Sequence, residues 1–344
     1  MTRVIAIILH SLPLANAGPL ETAFGAMRAA NARRLARGFE RTGAEAIVEE
    51  VRPGGAPFGS RLRTAAVAHR GAGLVVLGSG SIPLASPADL RAMTDAASKA
   101  GPILTNNRYS SDVVAIPAAV AEEAIARLPD LTADNGLPRW LSELGFDVVD
   151  LGRRWRLQVD LDSPIDGFLA GFGHDVADVE RVALTAARLR ELVADPEAQL
   201  VVAGRTSSST LRWLERSTAS RSRVLIEERG MRTATQRQKP ARSVVGLLLD
   251  RHGPRELGAI LAQLGDGAIL DSRVLLAHRL GVDESAWPPP EDRFASDLLL
   301  HEQVRDPWLR DLTRAAADAP IPVLLGGHTL VGPGLRLLLG AARR

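Results

Sequence analysis

Asp160 and Asp162 leave a predicted strand at positions i and i+2 and are stopped by Ser163-Pro164. Carboxylates so spaced can both reach a cation in a loop, or Asp162 or Ser163 can cap the helix that follows. Spacing alone leaves both readings open. Two further polar stretches fall where strands should end. One is Leu77-Gly78-Ser79-Gly80-Ser81-Ile82-Pro83-Leu84; the other runs from Thr105 through Asn106 and Asn107 to Asp112. In sheets with strands alternating with helices, ligands bind at the carboxyl ends of strands. Gly78, Ser79, Gly80, Ser81, Asn106 and Asn107 are therefore candidate binding residues.

The C-terminal half offers its own chemistry. Leu200 to Ala203 runs into Gly204-Arg205-Thr206-Ser207-Ser208-Ser209, a tight turn before a hydroxyl-rich helix start. Free N–H groups there, with Arg205 nearby, would suit a phosphate or carboxylate, although an ordinary helix cap accounts for the same residues. Ile321 to Leu325 is followed by Gly326-Gly327-His328-Thr329. Two glycines allow close backbone approach, and His328 can act as acid, base or donor, or serve only as a structural hydrogen-bonder. Asp271-Ser272-Arg273 and the Glu291–Asp297 stretch place acids beside arginines, which intramolecular ion pairs explain. Convergence of Arg205, Glu227, His328 and Asp297 would make a polar pocket. Arg205, Arg212, Arg216, Arg221, Arg223, Arg229 and Arg232 form the densest basic stretch, interleaved with Trp213. It reads as a solvated helix face or as the seat of an acidic ligand.

Several chemistries are excluded. The chain has no cysteine, hence no disulfide frame, thiolate metal site, iron–sulfur cluster or cysteine nucleophile. Its seven histidines form no H-x-H or H-x-x-x-H pair, the usual spacing of a histidine zinc site. There is no G-x-S-x-G elbow, no lysine completing a Walker loop after Gly204, and no third glycine after Gly78 and Gly80 for a dinucleotide fingerprint.

With 344 residues, 46% apolar content and a net charge of +2, the chain is expected to fold as about two domains. All but two of its 42 basic residues are arginine and 40 acids oppose them, so the basic isoelectric point is no nucleic-acid footprint. Arg3, the run Val4–Leu9 and Ala15-Asn16-Ala17 imitate a secretory signal, but the run is short and a buried first strand explains it better. No run approaches the ~18–20 apolar residues of a membrane span. The expectation is a soluble, cytoplasmic protein without membrane or nucleic-acid partners, with homo-oligomers possible.

The elements that must position these residues follow from periodicity. Strands are expected at Val4–Leu9, Ala44–Val51, Gly73–Leu77, Ile103–Thr105, Val113–Ile116, Phe146–Leu151 and Trp155–Leu161. Helices are expected from Pro19 toward Gly43, over Phe58–His69, from a Ser86-Pro87-Asp89 start to Gly101, and over Pro138–Leu144. The fold class is thus α/β, with a mostly parallel sheet. Residues 1–174 form the first domain, 175–195 a linking helix, and 196–344 a second α/β domain, with apolar runs at Gln199–Ala203, Arg223–Ile226, Val244–Leu249 and Ile321–Leu325.

The strand-loop-helix order, the Leu77–Leu84 segment followed by Ser86-Pro87-Ala88-Asp89-Leu90, and Asp160-Leu161-Asp162-Ser163-Pro164 together carry a resemblance. The first 165 residues resemble nucleotidyltransferases with a glycosyltransferase-A-like fold, such as the molybdenum-cofactor and phospholactate guanylyltransferases, whose D-[IL]-D-[ST]-P element the last string matches. The resemblance implies a nucleotide or nucleotide-sugar substrate, received by the Gly78–Ser81 turn. It implies Mg²⁺ or Mn²⁺ at Asp160 and Asp162, polarising phosphates. The sequence departs from the pattern in two places. The loop His10–Gly18 has neither a glycine pair nor a cation, and Ser79, Gly80 and Ser81 stand where an aspartate is usual. Three functions follow: a metal-dependent nucleotidyltransferase, a non-catalytic descendant that binds nucleotide or mediates assembly, or an enzyme sited in the second domain at Arg205 and His328. The expected partner is a nucleotide or another phosphorylated small molecule.

Overall fold

The computed structural model describes residues 2–52, 55–125, 127–131, 134–172, 179–228 and 241–340. The chain divides into two compact units. The first holds the residues up to Ala17 and Gly25–Leu161; the second holds Gly18–Phe24 and the residues from Asp162 onward.

The first unit contains β1 (Val4–Ser11), most of α1 (Pro19–Glu40), β2 (Glu45–Val51), α2 (Phe58–Ala68), β3 (Gly73–Gly78), α3 (Pro87–Ser98), β4 (Ile103–Thr105), β5 (Val113–Ile116), α4 (Ala118–Ile125), α5 (Leu137–Glu143) and β6 (Val148–Asp150). Its sheet has the order β2-β1-β3-β5-β4-β6, with β5 antiparallel to both neighbours and the other pairs parallel. β1 is apolar through most of its length because both of its faces are covered. The two-residue period of a strand sends Val4, Ala6 and Ile8 into the core shared with Leu35 and Phe39 of α1 and Met93 of α3. Ile5 and Ile7 face the opposite core, with Leu62 of α2 and Leu141 of α5. Ser86 and Asp89 cap α3 reciprocally, Asp89 N donating to Ser86 Oγ and Ser86 N to Asp89 Oδ2.

The second unit contains α6 (Pro164–Leu169), α7 (Glu180–Leu192), β7 (Gln199–Gly204), α8 (Ser208–Ser217), β8 (Arg221–Ile226), α9 (Val244–His252), α10 (Leu257–Ala262), β9 (Gly267–Asp271), α11 (Ser272–Leu280), α12 (Pro290–Asp297), α13 (Pro307–Ala317), β10 (Val323–Gly326), α14 (His328–Val331) and α15 (Leu335–Leu339). Its strands run parallel in the order β10-β9-β7-β8. From β7 the chain moves to β8 on one side and next enters the sheet as β9 on the other. The carboxyl ends of β7 and β9 therefore flank a topological switch point, where open parallel sheets place ligands.

Four expectations need correction. Of the expected linking helix 175–195, residues 175–178 lie outside the described residues; in the rest, the apolar stripe of α7 (Val182, Ala186, Leu189) is buried in the second unit, and the helix packs on β10 and α15. The division falls at 161/162 rather than 174, because α6 packs against α12 and α14. Trp155–Leu161 is not a strand. Its alternating Leu157, Val159 and Leu161 are buried, but Trp155–Gln158 is a 3₁₀ turn, and among the described residues the segment pairs through the isolated Ser81–Asp160 bridge. Val244–Leu249 is part of the helix α9, started by Ser243 Oγ accepting from Gly246 N and ended by Gly253 at φ +88°. Among the described residues, no helix is long and apolar enough to cross a membrane.

Candidate functional site

In the first unit the turn after β3 is held from within. Ser79 Oγ lies 3.1 Å from His10 Nδ1, and Ser81 Oγ accepts from Gly78 N. Asn31 Nδ2 of α1 donates to Ser79 O (2.8 Å) and Ser81 O (3.0 Å), while Arg34 Nη2 donates to Ile82 O at 2.9 Å. Those contacts hold Ile82 at φ +42°, a conformation a β-branched residue rarely takes. Gly80 is required by close approach, since a Cβ there would stand 2.8 Å from Leu161 O and 3.1 Å from Asp160 Oδ1. Burial, then Arg28, depress the His10 pKa against the opposing pull of Glu50, which favours a neutral imidazole.

Asn106 is fully buried, its Nδ2 donating to Asp112 Oδ2 and Leu157 O and its Oδ1 accepting from Asp112 N and Val113 N. Asn107 Oδ1 accepts from Tyr109 N and Ser110 N, an Asx turn. These amides shape their loop. Asp160 Oδ1 accepts from its neighbour Leu161 N.

The second unit gathers charge at its strand ends. Gly204 closes β7 at φ +135°, and a Cβ there would stand 2.2 Å from Asp271 Cβ. The missing side chain lets Arg205 lie against Asp271 at the end of β9, with Nε 2.6 Å from Oδ2 and Nη2 3.1 Å from Oδ1. Burial works to raise the Asp271 carboxyl, but Arg205 foremost, then Arg273 and His328, hold it below the ordinary carboxylate value. Two residues on, Arg273 grips Asp297 with Nη1 to Oδ1 at 2.5 Å and Nη2 to Oδ2 at 2.6 Å. Burial opposes the Arg273 cation, and Asp297, Asp271 and Asp166 sustain it.

One acid is left over. Arg205 binds Asp271 and Arg273 binds Asp297, while Asp166 is buried without an arginine hydrogen bond among the described residues. Burial foremost, then Asp162 and Asp297, push the Asp166 carboxyl up to about 7, against His328 and Arg273. Its Oδ2 accepts from Asp162 N and Ser163 Oγ, each at 3.1 Å, whereas Oδ1 meets no donor among the described residues. Burial and the neighbouring acids thus favour the protonated form of Asp166.

At the rim, His328 Nδ1 stands 3.2 Å from Asp162 Oδ2, both side chains partly exposed. His328 follows Gly327, where a Cβ would lie 3.9 Å from Arg205 Nη2. His328 acts on Asp271 and Asp162 on Arg205 through their charges. Arg205, His328 and Asp297, three of the four residues whose convergence would make a pocket, thus belong to one network. Glu227 is used elsewhere, accepting from Val244 N and Ser243 Oγ at the start of α9. Sequence reasoning does not single out Asp166 or the role of Asp271; the apolar run of β9 is too short to mark a strand end there. Arg229 and Arg232 lie outside the described residues.

Asp160 and Asp162, expected to share a cation, fall in different units. No group of three His, Asp or Glu side chains is placed to hold a metal ion among the described residues. No protein-family model matches the chain, and no curated protein matches it.

Proposed function

We propose that the protein is an acid–base enzyme acting on an anionic, phosphorylated small molecule, with its site at the carboxyl ends of β7, β9 and β10. One observation carries this reading: the Asp162–His328 pair stands on the same rim as an arginine held edge-on by a buried carboxylate. Asp271 takes the Nε edge of Arg205, so the opposite edge, with Nη1, is oriented to hold a phosphate or carboxylate. Asp162, accepting from Nδ1–H, fixes the His328 tautomer in which Nε2 carries the lone pair. That nitrogen is the general base, and it becomes the general acid once protonated. Asp166 and the Arg273–Asp297 pair lie beneath and hold the rim residues in place.

A thermal-shift panel of phosphorylated metabolites, nucleotides and nucleotide sugars tests the proposal. A ligand at ~100 times its Kd adds about 2.7 kcal/mol. The acid–base site requires a shift that persists without divalent metal and is lost in Arg205→Lys, which keeps the charge but not the fork.

A second reading puts nucleotide binding on the first unit, as the resemblance to nucleotidyltransferases implies. The close surroundings of Gly80 favour it: a Cβ there would stand 3.1 Å from Asp160 Oδ1 and 3.4 Å from Arg28 Nε, so an acid and a cation meet at one glycine. In that reading ligand binding needs Mg²⁺ or Mn²⁺ and is lost in Asp160→Asn.

A further inference from the structure

A cavity of about 300 Å³ in the second unit is lined by Ser209, Arg212, Trp213, Arg216, Ser217 and Arg336. The first five lie on α8, Arg212 to Ser217 following Ser209 by three, four, seven and eight residues, which puts them on one face. Arg336 arrives from α15, its Cζ 5.4 Å from the centre of the Trp213 ring. No carboxylate is among these residues. Arg212 donates Nε to Ser208 O, and neither Arg212 nor Arg216 pairs with an acid among the described residues.

Several arginines of this unit pair with acids: Arg205 with Asp271, Arg273 with Asp297, Arg181 with Glu302, Arg255 with Asp311. On the α8 wall of this cavity Arg212 and Arg216 stand one turn apart with no acid paired to them among the described residues. Like charges gathered on one wall repel, and a dianion removes that cost. The guanidinium fork matches a phosphate in two hydrogen bonds where an ammonium matches in one. Ser209 and Ser217 add hydroxyl donors, and Trp213 supplies an apolar wall. Partial burial depresses the Arg336 pKa, as expected of a cation facing a cleft. The volume suits a small molecule.

We propose that this cavity binds the phosphoryl group of a small phosphorylated ligand, at a site distinct from Arg205 and His328. The cavity takes its ligand whether or not His328 is a base.

The test follows the Trp213 indole N–H signal, assigned with Trp213→Phe, while inorganic pyrophosphate is titrated into the full chain at constant ionic strength. The expected result is a saturable shift in the wild type and in Arg205→Lys. In Arg216→Gln, a change on an exposed helix face, at least tenfold more pyrophosphate is needed, and the same holds for Arg336→Gln. A signal that pyrophosphate leaves unmoved, or a titration Arg216→Gln does not weaken, overturns the proposal. So does a shift produced by heparin or duplex DNA alone, which marks a polyanion surface instead.

Discussion

Arg205 and Asp271 lie at the ends of neighbouring strands, the guanidinium Nε 2.6 Å from a carboxylate whose side chain is fully buried. The pair is possible only because Gly204 has no Cβ. It fixes the Nε–Nη2 edge of the arginine, whose Nη2 lies 3.9 Å from where a Cβ on Gly327, the residue before His328, would stand.

Removing one partner of a buried pair costs far more than the pair itself contributes, because the survivor keeps its charge without compensation. Arg205→Ala is therefore expected to destabilise the protein by about 3–5 kcal/mol. The double variant Arg205→Met, Asp271→Leu should recover most of that loss. Urea denaturation of Arg205→Met, Asp271→Leu and the double variant completes the cycle. Equal losses in single and double variants would show that Asp271 does not depend on Arg205.

Gly204→Ala should also be damaging. A Cβ at φ +135° would stand 2.2 Å from Asp271 Cβ, so backbone strain and steric overlap add. A loss of at least ~3 kcal/mol is expected, against ~0.5 kcal/mol for an exposed surface change. Gly253→Ala is the comparison: it also has positive φ (+88°), but nothing lies within 4 Å of the added Cβ, so it reports the strain alone. Equal losses at the two glycines would mean that the Asp271 contact gives way at no cost.

The Asp166 carboxyl, ordinarily near 3.8, is pushed up to about 7 in the folded chain. Between those values the native state binds a proton that the unfolded chain has released. Its contribution to stability is present below the lower value and is lost as pH rises toward the upper one. Asp166→Asn keeps the shape and has no proton to lose, so it should remove up to about 1.4 kcal/mol per pH unit of downward slope in that window. Denaturation midpoints across the window decide it; an unchanged slope in Asp166→Asn means that the proton sits elsewhere.

For turnover of whichever substrate the ligand panel identifies, His328→Ala should lower kcat by about 10²–10⁴-fold, the usual contribution of a general base. Asp162→Asn should act in the same direction, because an amide can donate to Nδ1 and select the wrong tautomer. Asp160→Asn should leave the rate within about twofold. The reverse ranking would place the chemistry on the first unit.

Much of this architecture is legible in the residues. β1 is apolar from Val4 to Leu9 because two cores claim it, and α1 and α3 announce their starts with Pro19 and the Ser86–Asp89 box. The misreadings share one cause: local pattern records burial, not pairing. Leu157, Val159 and Leu161 alternate because alternate side chains are buried, yet the backbone enters them through a 3₁₀ turn over Trp155–Gln158. The Val244–Leu249 run suits strand or helix, and Ser243 decides it. Arg205 and His328 are visible in the sequence as residues at strand ends. Their union is not, because it depends on the β10-β9-β7 neighbourhood, which joins segments more than a hundred residues apart. Asn106 and Asn107 look like ligand contacts because the amides that shape a loop and the amides that bind through one are the same chemistry.

In the proposed site His328 and Arg205 serve one anion. Imidazole ¹⁵N spectra of the histidine-labelled protein, with His328 assigned through His328→Gln, test it during a titration with inorganic phosphate. The expected result is a saturable shift of the His328 signals, with Nδ1 protonated in the free state, and binding at least tenfold weaker in Arg205→Lys. His328 signals that ignore phosphate, or that respond equally in Arg205→Lys, would contradict it.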